Sequence, residues 1–145
     1  MLAWLLGGVL AVSLSISLVT DLRSRRIPNV VTLPAFAAAL LLRLLLGGWD
    51  AAADGLLGAL VAFAPFFLLA WAGGMGMGDV KLVTVVGACV GAERAVWALL
   101  CIALVGGLQG IAALLWRGRM RGVTVPYGVA IALGTAWALA WRPWT

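Results

Sequence analysis

The sequence has no histidine, a single tyrosine and two cysteines, and only 10% of its 145 residues are charged. Without histidine there is no Ser-His or Cys-His nucleophile, no histidine-ligated metal centre and no zincin motif. Cys89 and Cys101 stand singly in apolar stretches and form no CxxC pair. They read as small buried hydrophobes rather than as zinc or redox ligands. Carboxylates are scarce as well, with five Asp and Glu in all. What the chain has in abundance is apolar surface, at 65% of residues. A soluble domain of this length cannot hide that much, whereas lipid solvates it directly.

Six apolar runs follow one another, over residues 2–20, 30–46, 55–72, 82–92, 95–116 and 123–141. Most match the roughly 20 residues needed to cross a hydrocarbon core of about 30 Å. The fourth is short and reaches that length only if its helix begins near Asp79. The pattern predicts an all-α polytopic membrane protein with about six transmembrane helices, forming one membrane-embedded domain over residues 1–145. The first run lacks a basic segment before it and a small-x-small site ahead of Asp21, so it reads as a retained helix and not as a signal peptide.

Charge placement gives the orientation. Arg23, Arg25, Arg26, Lys81, Arg117, Arg119 and Arg121 fall on one set of alternate loops. Arg94 and Arg142 fall on the other, together with Asp50, Asp54 and Glu93. The positive-inside rule puts the first set in the cytoplasm and both termini outside. The net charge of +5 is then a topology signal and carries no expectation of nucleic acid. Arg43, near the outer end of the second run, is expected to snorkel. Trp4, Trp49, Trp71, Trp97, Trp116, Trp141 and Trp144 lie near the ends of runs, as interfacial belts require.

Solvation explains the three acids of the outer loops. Asp21 and Asp79 are different, since both sit at cytoplasmic helix ends and hence at one membrane depth. Two facing carboxylates can share a proton, one acting as base and the other as acid toward a water. Capping, or balance of a neighbouring Arg or Lys, explains each Asp equally well when taken alone. Gly76 and Gly78 precede Asp79 in Gly76-Met-Gly-Asp79, where they permit positive φ and close approach of a second backbone. After Asp21 comes Arg25-Arg-Ile-Pro-Asn29 and then Thr32. Pro28 is suited to start the second helix, and Asn29 to bond freed backbone groups.

These segments resemble the prepilin peptidases, or type IV leader peptidases, which are membrane aspartyl proteases of the GxGD class. The resemblance rests on Asp21…Arg26-Ile-Pro-Asn29…Thr32, on Gly76-Met-Gly-Asp-Val-Lys81, and on a Pro126-Tyr127-Gly128 signature opening the last helix. It implies endoproteolysis of a prepilin or pseudopilin precursor at the cytoplasmic face of the inner membrane, with no metal or organic cofactor. The cut falls after a glycine that ends a short basic leader and precedes an apolar helix. The resemblance further implies Asp21 and Asp79 as the catalytic pair, with Gly76 and Gly78 as the glycines of the motif. Lys81 matches a frequent family residue, for which interface anchoring is an equal account. Pro126, Tyr127 and Gly128 are expected to be structural, with Tyr127 near the site. Arg26, with Arg23 and Arg25, is a candidate partner for the Glu that family substrates often carry early in their mature helix; orientation in the membrane explains all three arginines too.

Longer bacterial members have a cytosolic segment with paired cysteines, associated with zinc and with N-methylation of the pilin. This sequence has no such segment and resembles the short form, often found with Flp pili, so cleavage without methylation is expected. A non-catalytic membrane protein, either an ion or proton pathway or a pilus-assembly factor, is the alternative from another class. A GxGD protease with some other substrate is a third.

The topology is testable by cysteine labelling on a background lacking Cys89 and Cys101. A cysteine at residue 50 should be protected from the cytoplasmic side; its labelling from that side would contradict the N-out, C-out arrangement.

Overall fold

The computed structural model describes residues 1–24, 27–117 and 127–141. They form five α-helices: α1 (Leu2–Ser24), α2 (Asn29–Trp71), α3 (Met77–Val90), α4 (Ala92–Arg117) and α5 (Tyr127–Trp141). No strand occurs among the described residues. By length and composition Leu2–Ser24, Asn29–Trp71 and Ala92–Trp116 are apolar enough to cross a membrane, and Tyr127–Trp141 is a shorter apolar helix.

The second and third expected runs belong to one element, α2, which turns at Gly48 with φ 76° and ψ −170°. A single left-handed residue, accessible to glycine without steric cost, replaces the loop expected around Asp50 and Asp54. Those acids are helical instead. The two arms, residues 29–47 and 49–71, are each about 30 Å long at 1.5 Å per residue, so each can cross the core. α3 and α4 are likewise separated only by Gly91, at φ 85°. The six expected runs thus fall in five helices, one of them doubled back.

Packing is inverted relative to a soluble bundle. On α1 the buried face carries Leu6, Leu10, Ser13, Ser17 and Asp21, while Val12, Ile16, Val19 and Leu22 point outward. Trp4, Trp49, Trp71, Trp116 and Trp141, all near helix ends or the Gly48 turn, are exposed. With lipid outside, helix association relies on close packing and small residues. The core follows that rule, with Ala35, Ala39, Ala59, Ala62, Ala88 and Ala98 all buried.

α3 is the hub, since it packs against all four other helices. Its closest neighbour is the second arm of α2. There a Cβ on Gly58 would strike the Gly87 carbonyl, and one on Gly87 would strike the Gly58 carbonyl. The two backbones touch.

Arg43 corrects an expectation. It is buried rather than snorkelling outward. Its Nη1 donates to the Ala51 carbonyl at 3.0 Å and to Asp54 Oδ2 at 2.9 Å, and its Nη2 to the Cys89 carbonyl at 2.9 Å. Asp54 Oδ1 accepts the Ala92 N–H at 3.0 Å, capping α4. One guanidinium therefore ties both arms of α2 to the α3–α4 junction. Asp54, itself half-exposed, is the counter-charge of the buried Arg43 as well as a solvated acid.

The glycine crossing makes a direct prediction. Gly87→Ala should lower the melting temperature of the detergent-purified protein, at a cost of roughly 1–3 kcal/mol for overpacking. Gly107→Ala, on α4 with nothing near its Cβ position, should not lower it. Equal stability of the two variants would contradict the packing.

Candidate active site

The end of the bundle opposite Arg43 collects the C-terminal end of α1 and the N-terminal ends of α2, α3 and α5. Asp21 lies in the last turn of α1 and is 7% exposed. Its Oδ2 accepts the backbone N–H of Gly128, in the first turn of α5, at 3.0 Å. A Cβ on Gly128 would lie 2.6 Å from that same oxygen, so only glycine lets the backbone come this close.

Asp79 lies in the first turn of α3 and is half-buried. The approach to it is built by a reversal that the sequence spells out. α2 ends in a left-handed Gly73, with Gly74 N–H returning to the Leu69 carbonyl at 2.9 Å, a glycine-terminated helix end. Gly76 then caps α3 in extended conformation (φ −79°, ψ 147°), and its carbonyl accepts the Asp79 N–H at 3.1 Å. Neither motif glycine has positive φ. The close approach expected of them is that of a substrate strand; the described residues show contacts within this chain. A Cβ on Gly78 would sit 3.1 Å from Ile27 Cβ, so glycine lets α3 meet the segment before α2. A Cβ on Gly76 would sit 3.4 Å from Asp79 Oδ2; because Gly76 is exposed, its missing side chain leaves the carboxylate uncovered on that side.

The two carboxylates are close enough for their charges to act on one another. Asp21 is oriented by a backbone donor, whereas Asp79 Oδ1 is buried with no hydrogen-bond partner among the described residues. A buried oxygen without a donor is costly unless a proton, a water or a ligand meets it. Two carboxylates that repel one another are the kind of pair whose protonation can differ, so that one can act as acid and the other as base.

The other expected residues fall around this pair. Lys81 Nζ donates to Asn29 Oδ1 at 2.8 Å, strapping α3 to the start of α2. Among the described residues Asn29 thus bonds a side chain and no freed backbone group. Pro28 precedes α2 as its cap instead of opening it, in extended conformation. Tyr127 lies with its ring against Gly106 of α4, and its hydroxyl bonds neither carboxylate. Arg26 and Pro126 lie outside the described residues, as do Arg25, Arg119 and Arg121. The role not foreseen is that of Gly128, whose N–H orients Asp21. Nothing local signals it, since 107 residues separate the partners.

The sequence profile of the type IV leader peptidase family matches residues 8–111, a stretch that contains Asp21, the Gly48 turn and Asp79. Among curated proteins, the prepilin leader peptidase/N-methyltransferase of Aeromonas hydrophila is 34% identical over 83% of this chain and 44% of its own length. The protein of the same name from Bacillus subtilis strain 168 is 37% identical over 81% of this chain and 48% of its own. That from Burkholderia pseudomallei strain 1026b is 31% identical over 89% and 43%. The chain therefore spans a little under half the length of the curated relatives it matches. No solved structure matches it. With the profile covering most of the chain, including both aspartates and the glycine-led turn between α2 and α3, the chain belongs to the type IV leader peptidase family.

Proposed function

We propose that the chain cleaves the basic leader from type IV prepilin-like precursors, pseudopilins included, with Asp21 and Asp79 as its catalytic pair. Residues 1–145 act as one membrane-embedded peptidase domain, the site facing the cytoplasm across the inner membrane. What supports this reading is that two carboxylates, from α1 and α3, lie at one end of the bundle near enough to repel one another, one held by the Gly128 N–H and the other with an unpartnered buried oxygen. The name shared by the relatives supports the substrate class.

The chemistry follows from the pair. A helical substrate backbone buries its carbonyls, so the segment to be cut must lie extended across the site. The open side of Asp79 beside Gly76 suits such a strand. One carboxylate takes a proton from water as the oxygen attacks the scissile carbonyl. The other gives its proton to the carbonyl oxygen, forming a tetrahedral diol. Collapse of the diol breaks the C–N bond, the amine leaves protonated, and the pair again holds one proton. The two act as a unit with shared titration. Gly128 is a positioning residue, because its N–H fixes the direction of the Asp21 carboxylate.

The test is cleavage of a precursor bearing a basic leader, a glycine and an apolar helix, by purified protein in liposomes. Asp21→Asn and Asp79→Asn should each lower the rate by at least about 10²–10⁴-fold without affecting insertion, because Asn cannot serve as base. Asp50→Asn, at the opposite end, should retain it. A properly inserted Asp21→Asn or Asp79→Asn protein that cleaves at near-normal rate would contradict the assignment.

Gly128→Ala isolates the positioning role. Displacing the carboxylate by about 1 Å should lower kcat roughly 10–100-fold with little change in KM. An unchanged kcat would show that the hydrogen bond does not set the geometry.

A further inference from the structure

Below the Asp21–Gly128 hydrogen bond, α1 and α5 part to form a groove of about 280 Å³ that opens outward from the bundle. Gly7, Ala11 and Ser15 line it from α1, and Ala132, Thr135 and Ala136 from α5. Measured along the helices, the groove starts about one turn from the carboxylate, at Leu18, and ends about 21 Å away, at Gly7. It is thus an apolar groove, lined by these small residues together with Leu10, Leu14, Leu18 and Leu139, that runs along the bundle to about one turn from Asp21. Small residues on facing helices are what allow a further helix to approach closely in lipid.

Thr135 supplies an independent sign that something is meant to lie there. Serine and threonine hydroxyls in apolar helices usually fold back onto a carbonyl of the preceding turn. Ser13, Thr20, Ser24 and Thr84 all do so, on carbonyls four residues back, at 2.6–3.0 Å. The hydroxyls of Ser17 and Thr32, neither of which lines this groove, do not, and nor does that of Thr135. The Thr135 hydroxyl lies at the floor of the groove, in a residue with no exposed surface, and has no hydrogen-bond partner among the described residues.

We infer that this groove between α1 and α5 seats the apolar helix that follows the scissile bond of the substrate. The inference rests on the proposed peptidase reading, under which the bond to be cut must reach Asp21 while the helix attached to it stays in the membrane. A helix lying in the groove delivers its N-terminal end to the Asp21–Gly128 contact, and a substrate group is left free to bond the Thr135 hydroxyl. The larger groove between the arms of α2, lined by Phe36, Leu40, Leu44 and Trp49, serves the purpose less well. It extends toward the Gly48 turn, at the end of the bundle away from both carboxylates.

The test uses the full chain lacking Cys89 and Cys101, in the uncleaving Asp21→Asn form, in liposomes with a precursor carrying single cysteines along its apolar helix. Ala11→Cys and Ala136→Cys should each form oxidative cross-links to the first three turns of the substrate helix, whereas Ala37→Cys and Ala53→Cys, in the α2 groove, should not. In the otherwise wild-type protein, Ala11→Leu with Ala136→Leu should raise KM for the precursor at least tenfold while kcat changes less than twofold. Cross-links confined to the α2 positions, cross-links between two copies of this chain at Ala136→Cys, or an unchanged KM in the groove-filled variant would overturn the inference. The same outcomes would leave the peptidase reading standing, because that reading depends on the loss of cleavage in Asp21→Asn.

Discussion

Contact between the backbones of Gly58 and Gly87 places the rest of the structure. In lipid, helices gain nothing by hiding leucine from water, so association depends on how closely they can lie. A Cβ at either position would meet the opposing carbonyl and push α3 away from α2. α3 is also the helix that touches every other, and it carries Asp79 in its first turn. The position of that carboxylate is therefore set about two turns away, by two residues with no side chain. Arg43 secures the arrangement from the far end, holding the α2 turn and the C-terminus of α3 through Ala51, Asp54 and Cys89.

An ionisable group among lipid-facing helices is costly, and its partners indicate why it is kept. Arg43 and Asp54 pair at 2.9 Å and their other bonds go to backbone groups at an interhelical junction, with Arg43 Nε alone left without a partner among the described residues. That pattern is structural. Asp21 and Asp79 differ, since each has a like charge for a neighbour and no cation pairs with either among the described residues, and Asp79 Oδ1 is buried without a partner. An arrangement so poorly suited to stability fits a site where a proton and a substrate complete the bonding. The two ends of the same bundle thus use carboxylates in opposite ways.

Much of this was legible in the sequence, for identifiable reasons. Apolar runs and loop charges gave the helical membrane fold, because lipid admits few alternatives to a helix. That Asp21 and Asp79 share one end of the bundle follows from counting the apolar runs. The three features that escaped depend on contacts between distant residues. Arg43 looks like a snorkelling side chain unless it is known that the α2 turn folds Asp54 back onto it. The doubling of α2 turns on one left-handed glycine, and glycine pairs such as Gly47-Gly48 and Gly73-Gly74 do not say which residue takes that conformation. The grip of Gly128 on Asp21 crosses 107 residues, and only the packed bundle brings them together.

The central claim is that Asp21 and Asp79 form a single catalytic device and not two separately useful acids. A double-mutant cycle on kcat, with Asp21→Asn, Asp79→Asn and the combined variant in the same liposomes, measures that coupling directly. If one shared proton does the work, the combined variant should be no slower than either single one, because the first substitution already removes the whole contribution. Losses that multiply, with the combined variant slower by the product of the two, would contradict the account.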